Sequence, residues 1–403
     1  LPATPAPRTG DDTSSAAEHR RAAMKQSADY VFPFQSEFIP VLRRAIAANP
    51  SDARAPYYLG NLLFDWQPDE AVALWEKSVA LDPNFPIAWR NLAQAYSHRP
   101  DDASRARAIA CLEKSAALPT ADATQFAELD ALYELAGAPV EKRLALLEAH
   151  RDVVLKKDEG RAALVGLKTV AGKTDEAIAL LEGRTFSVWE GGTRFNTGEA
   201  WTNAHLARGI SRLAAEKPHE ALADFEVALK FPANLRSSER PGGASRTAEV
   251  GYWTGRAHAA LGEANKARAA WTEAAANPPA ATGGRGGGGV GRGGAANALA
   301  NRASRYFQAL ALRQLGQPER AEPIFRELIA AGTEALVVTG DAADAPPGAG
   351  PVASPRARLA AAHYLAGLGY AGAGDHEKAR AEFSAALAAA PDHLGAKLAL
   401  GQL

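Results

Sequence analysis

The amino-acid sequence predicts an all-α protein, a right-handed α-solenoid of about eight helix-hairpin repeats finished by a C-terminal capping helix. Three observations carry this prediction. The segment Trp89-Arg90-Asn91-Leu92-Ala93-Gln94-Ala95-Tyr96 reads W-x2-L-A-x2-Y, which sets a bulky, a small and an aromatic residue on one helical face. The same template returns along the chain at a period of roughly 34 residues. Prolines such as Pro50, Pro83 and Pro391 stand where one hairpin ends and the next begins.

The elements follow in order. A half-unit opens the array, with a helix predicted over residues 36–48 that ends at Asn49-Pro50. The next hairpin has Tyr58-Leu59-Gly60 on its first helix (A), and Ala71 and Trp75 on its second (B). Trp89, Leu92, Ala93 and Tyr96, with Ala108 and Leu112, make the one after it. Degenerate hairpins are expected around Leu129–Tyr133 with Leu144–Leu147, and around Leu164–Leu167 with Ala177–Leu181. Clearer ones return at Gly209/Phe225, Gly255/Trp271, Ala309/Phe325 and Gly367/Phe383, and residues 393–403 read as the cap. In each, a small residue on helix A lets helix B approach, and a large residue on helix B fills the gap between neighbours. This is the tetratricopeptide (TPR) pattern, whose A helices are expected to line a groove.

Composition shifts set the expected boundaries. Residues 1–28 read as a flexible linker, 29–184 as N-terminal repeats and 185–197 as an insertion carrying Trp189-Glu190-Gly191-Gly192. Central repeats are expected over 198–278, a Gly-rich loop over 279–297 and a further hairpin over 298–331. An Ala/Gly/Pro loop (332–355) then precedes the last hairpin and cap (356–403).

Charge and composition remove several function classes. Lys and Arg total 45 against 46 Asp and Glu, so nothing points to nucleic acid as a partner. A single cysteine, Cys111, excludes an internal disulfide framework and a cysteine-based zinc site. The nine histidines show no paired ligand spacing, so no metal and no cofactor is expected. No apolar run approaches the roughly 18 residues that span a bilayer. Leu1 in the place of Met is read as a sign that something upstream was removed, by processing, proteolysis or design, and export or the cell surface is expected slightly ahead of the cytoplasm.

Motifs for chemistry are weak. Gly172-Lys173-Thr174 matches the end of a phosphate-binding loop, but Leu167 stands where the first glycine belongs and no strand precedes it. A turn between helices is the better reading. Cys111 falls on an apolar helix-B face, where a buried structural thiol is expected. Nothing names a reaction, so the chain is read as non-enzymatic.

The groove remains. Asn61 and Asn91 occupy the two asparagine positions with which peptide-binding repeats hold a partner's terminal carboxylate, and Arg90 and Gln94 stand beside them. Tyr57 replaces the expected lysine, and Glu128 stands where an arginine would complete the set. Trp189 and Glu190 are a further candidate, an aromatic platform and carboxylate for a sugar or a neighbouring domain, against the plainer reading of a tryptophan tucked under a break in the array.

Several phrases extend the resemblance beyond the repeat. Asp29-Tyr30-Val31-Phe32-Pro33-Phe34, Tyr57-Tyr58-Leu59-Gly60-Asn61-Leu62-Leu63, Phe186-Ser187-Val188-Trp189-Glu190-Gly191-Gly192 and Ala228-Leu229-Lys230-Phe231-Pro232-Ala233-Asn234-Leu235 are four of them. Over residues 22–400 the chain resembles the C-terminal TPR array of bacterial proteins with an N-terminal, mutarotase-like β-sandwich of uncharacterised function. The resemblance implies a protein partner or the chain's own upstream domain as ligand. It also leaves open an accessory role to a carbohydrate-active enzyme, with a glycan as partner. A second reading, independent of it, is self-assembly into a ring or extracellular filament, end to end through Tyr30–Phe34 and His393–Leu403.

Overall fold

A computed structural model describes residues 18–19, 21–23, 26–28, 31, 33–187, 196–236, 246–276, 294–341 and 354–403, with residues 294–301 and 338–341 as backbone. Among the described residues no strand occurs, and the fold is an all-α TPR-type array of antiparallel helix hairpins. The chain divides into two compact units, residues 1–132 and 133–403.

In the first unit, α1 (Phe38–Ala48) packs on α2 (Arg54–Leu63), which pairs with α3 (Pro68–Leu81). The pair α4 (Pro86–Ser97) and α5 (Asp102–Ala116) follows, then α6 (Ala123–Leu135), which ends across the unit boundary. Proline opens α3 and α4, where its missing N–H costs nothing. Asp101 caps α5 by accepting from the Ser104 N–H at 2.7 Å. Ile39, Leu42 and Ile46 of α1 cover Leu59, Leu63 and Ala71. Each B helix is also tied by a serine to the start of its own A helix: Ser78 Oγ donates to the Ala53 carbonyl and Ser115 Oγ to that of Pro86, at 2.7 and 2.9 Å.

The second unit begins with α7 (Val140–Ala149) and the short α8 (Arg151–Val154). Four hairpins follow: α9/α10 (Asp158–Val170, Thr174–Glu182), α11/α12 (Thr197–Ala214, Pro218–Val227), α13/α14 (Thr247–Ala260, Ala264–Ala276) and α15/α16 (Gly294–Gln314, Pro318–Asp341). The last hairpin is α17/α18 (Pro355–Ala373, His376–Ala389), and α19 (Leu394–Leu400) is the cap. Gly172, expected in a turn, sits between α9 and α10 with φ +79°, a left-handed conformation that glycine adopts without strain.

The small-on-large contact is the repeated unit of packing. A Cβ on Gly60 would stand 2.5 Å from Trp75 Nε1, and Cβ atoms on Gly209, Gly255 and Gly367 would collide with Phe225, Trp271 and Phe383. Both tryptophans use the closeness in the same way. The indole N–H of Trp75 donates to the Tyr57 carbonyl and that of Trp271 to the Tyr252 carbonyl, each at 3.2 Å and each three residues before the glycine.

The segment 332–355, expected as loop, starts as helix instead, because α16 runs on to Asp341. Gly332, the first residue of that segment, is a packing glycine: a Cβ there would lie 2.5 Å from the Ala366 N–H nitrogen of α17. Likewise α15 begins at Gly294, inside the expected Gly-rich loop.

Charged side chains are buried at the joints of the second unit. Arg143, almost fully enclosed, reaches Asp392 at 2.6 Å and Glu134 at 3.1 Å, so the residue before the cap meets the first helices of the unit. Lys168 is buried between Glu148 and Glu176. Asp224 is enclosed by His205 Nδ1 (2.9 Å), Arg208 (2.7 Å) and Arg212 (2.9 Å), and Arg208 also reaches Asp175 on α10 at 2.6 Å. The cap itself is held within the chain. Ala396 is buried, and Leu398, Leu400 and Leu403 pack on the unit's core.

Two predictions follow from this packing. Gly60→Ala and Gly255→Ala are expected to destabilise by about 1–3 kcal/mol through overpacking against the indoles. Gly166→Ala, in a helix with open space around it, should stabilise by about 0.5–1 kcal/mol; urea midpoints of the three variants check the contrast. Burial pushes the Asp224 carboxyl up, but hydrogen bonds from His205 and Arg208, with the charges of Arg208 and Arg212, outweigh it and hold the group below its usual range. Its contribution to stability is therefore present above the unfolded carboxyl pKa of about 3.9 and is lost as pH falls through the lower folded value. Asp224→Asn should cost about 3–5 kcal/mol near pH 7. The gap from the parent should narrow in denaturation curves taken near pH 3, and an unchanged gap would sink this assignment.

Candidate partner-binding groove

Helices α2 and α4 stand one repeat apart in the first unit, and their A-helix faces bring the predicted groove residues together. Tyr57 lies three residues before the packing glycine and is buried at 1% exposure. Asn61, one turn further on, directs its Oδ1 at two donors, the Trp75 indole N–H (3.0 Å) and the Asn91 amide N–H (2.8 Å). Burial pushes the Tyr57 phenol up, and hydrogen bonding to Asn61 and Asn91 opposes this. Tyr57, Asn61 and Asn91 thus form one network, anchored to helix B through Trp75.

Arg90 is engaged as well. Its Nε and Nη2 donate to the two oxygens of Glu128 on α6, at 2.7 and 2.6 Å. The hydrogen bond to Glu128 raises the arginine further, and the two side chains form a bidentate ion pair. Gln94 follows Arg90 by one turn on α4 and is half-buried. The five residues therefore make a row of amides and a phenol beside a neutral ion pair. A terminal carboxylate placed here would face Glu128, and Arg90 is already taken by that carboxylate.

Trp189 and Glu190 lie outside the described residues. The chain that leads toward them is fixed: Phe186 is buried, its N–H donates to the Asn234 carbonyl at 2.9 Å, and the Ser187 N–H donates to Asp158 Oδ2 at 2.9 Å. Tyr30 is likewise outside the described residues, whereas Phe34 is 83% exposed. Cys111 is buried, and burial pushes its thiol up to about 11, which leaves little thiolate for nucleophilic chemistry. Among the described residues no group of three metal-ligating side chains occurs, and no helix is long and apolar enough to cross a membrane.

Sequence reading missed the recurrence of Tyr57. Tyr252, Tyr306 and Tyr364 stand at the same offset before Gly255, Ala309 and Gly367, and burial pushes the last two phenols far up. It also missed a repeated histidine–carboxylate pair. His205 meets Asp224 at 2.9 Å and His363 meets Glu382 at 2.7 Å, in each case from helix A to helix B of one hairpin. Aligning the hairpins on their small residue would have found both, because Tyr precedes it by three positions and His by four.

No family model matches the chain. Solved structures give weak likenesses. A TPR protein, YrrB, described as having an unusual peptide-binding site, is 19% identical over 47% of this chain and 92% of its own, with a TM-score of 0.35. The Naa15/Naa10 complex bound to HypK-THB matches at 13% identity, covering 94% of this chain and 58% of that one, with a TM-score of 0.39. The P58(IPK) TPR domain is 13% identical over 97% of both chains, with a TM-score of 0.20.

Proposed function

We propose that the chain is a non-catalytic interaction scaffold whose first unit takes an extended segment of a protein partner along the face built by α2 and α4. The observation behind this reading is the Tyr57–Asn61–Asn91 network beside the Arg90–Glu128 pair. A half-buried row of amides without net charge suits the alternating donors and acceptors of a peptide backbone better than an anionic terminus. The segment belongs to a separate protein or to the chain's own upstream domain, and the chemistry of the groove suits both alike. The test separates these from the alternatives by chemistry.

Self-assembly is the second reading, and Phe34, Phe38, Val41 and Trp66 at the N-terminal end of the first unit are the exposed apolar side chains that favour it. Its other proposed face is less available, since Leu398, Leu400 and Leu403 are partly buried against the unit's core. The accessory role to a carbohydrate-active enzyme, with a glycan on Trp189 and Glu190, rests on the resemblance alone.

Selection of random displayed peptides on the immobilised chain tests the scaffold reading. Selected peptides should lose about tenfold in affinity for Asn91→Ala, the loss of a hydrogen-bonding amide worth about 1.4 kcal/mol. C-terminal amidation of the same peptides should change nothing. Equal binding to parent and variant, or a strict need for a free carboxylate, would overturn the proposal. Light scattering across a concentration series decides the second reading, where a constant monomer mass removes it.

A further inference from the structure

The hairpin α13/α14 repeats the glycine–tryptophan contact of α2/α3 without its aromatic cover. Gly60 and Trp75 correspond to Gly255 and Trp271, down to the indole N–H bond to the carbonyl three residues before the glycine. In α2/α3 the residue four positions after the glycine is Phe64, whose ring lies 5.1 Å from that of Trp75. His98, five positions after the small residue of the next A helix, closes the other side at 6.3 Å from Phe64. Trp75 is buried as a result.

The equivalents around Trp271 are Ala259 and Gln314. Both are too small or too polar to replace an aromatic plug, and an open cleft of about 370 Å³ remains, lined by Trp271, Ala259, Gln314, Asn265 and Arg268. Two other hairpins cover the same position with a long side chain, whereas α4/α5 has Ser97 and α17/α18 has Ala371 there. Leu213 packs on the cluster that holds Phe225, and the Arg313 guanidinium stands 4.5 Å over Phe325. Phe225, Phe325 and Phe383 are buried like Trp75, whereas Trp271 is partly exposed. The segment 277–293 that follows α14 contains no aromatic residue that could serve.

We infer that the cleft over Trp271 is a docking site for an aromatic side chain supplied by a partner protein, with an acidic residue beside it to meet Arg268. Phe64 shows, within this chain, what group the geometry accepts: a flat ring set against the indole, the tilted contact that aromatic pairs favour. Arg268 supplies the charge. Its guanidinium makes no ion pair among the described residues, whereas the neighbouring Lys266 is engaged with Glu263 at 3.0 Å. The site belongs to the second unit and does not depend on what the α2/α4 groove binds.

The test uses the full chain and two probes, N-acetyl-Glu-Phe-amide and N-acetyl-Glu-Ala-amide, titrated by ligand-observed NMR, with the difference in tryptophan fluorescence between the parent and Trp271→Phe as a second readout. The Phe probe should saturate and the Ala probe should bind at least about tenfold more weakly, the loss expected when an aromatic contact is removed. Ala259→Phe fills the cleft from within, as Phe64 does, and should abolish binding of the Phe probe. Ala259→Leu, which follows the Leu213 precedent, serves the same purpose if the Phe variant does not fold. Arg268→Glu should weaken the Phe probe while leaving the helical circular dichroism unchanged. Equal binding of the two probes, or undiminished binding of the Phe probe to a folded Ala259 variant, overturns the inference.

Discussion

Everything else in this molecule depends on one steric allowance: the absent or minimal side chain on each A helix at the point where a ring from helix B must enter. At Gly60, Gly209, Gly255 and Gly367 the ring occupies the volume of the missing Cβ. Because the helices come this close, the backbone carbonyl three residues earlier falls within reach of an indole N–H, and an otherwise costly buried donor is satisfied. The same closeness aligns the faces of successive A helices, which is what lets Asn61 and Asn91, from different hairpins, share a hydrogen bond.

Upon this apolar scheme the second unit superimposes buried charge. Arg143, Lys168 and Asp224 are each enclosed, and each is met by more than one group of opposite charge or by a histidine. Such clusters add little net stability compared with apolar packing of the same volume, but removing one partner leaves a buried charge stranded. Their placement is consistent with a role in fixing which helices meet. Arg143 joins residues 249 apart in sequence, and Arg208 joins consecutive hairpins. Charge at a joint penalises any packing that leaves it unpaired, whereas a leucine would tolerate several.

The two surface features of interest differ in character. The α2/α4 groove has its polar groups already arranged: an amide network and an ion pair that neutralise each other before any partner arrives. The Trp271 cleft is the reverse, a position where the array's own plug is absent and an indole is left partly uncovered. Both arise from side chains at fixed offsets from the packing glycine, so a single repeat frame generates a polar recognition row and an aromatic recess by substitution alone.

The sequence by itself determined the all-α array, most hairpin positions and the turn at Gly172. Those features rest on periodicity and on glycine, which act locally: a small residue, a ring a fixed number of positions later and a left-handed turn are all written within one repeat. Candidate groove residues were legible for the same reason, as offsets within α2 and α4. Only the tertiary structure decided what they do to one another. That Arg90 is taken by Glu128, that Asn61 accepts from Trp75, and that Gly332 packs against α17 instead of breaking a helix depend on neighbours one repeat away or further. The contact of Arg143 with Asp392 is a further example, since it results from how distant segments meet, which no local spacing encodes.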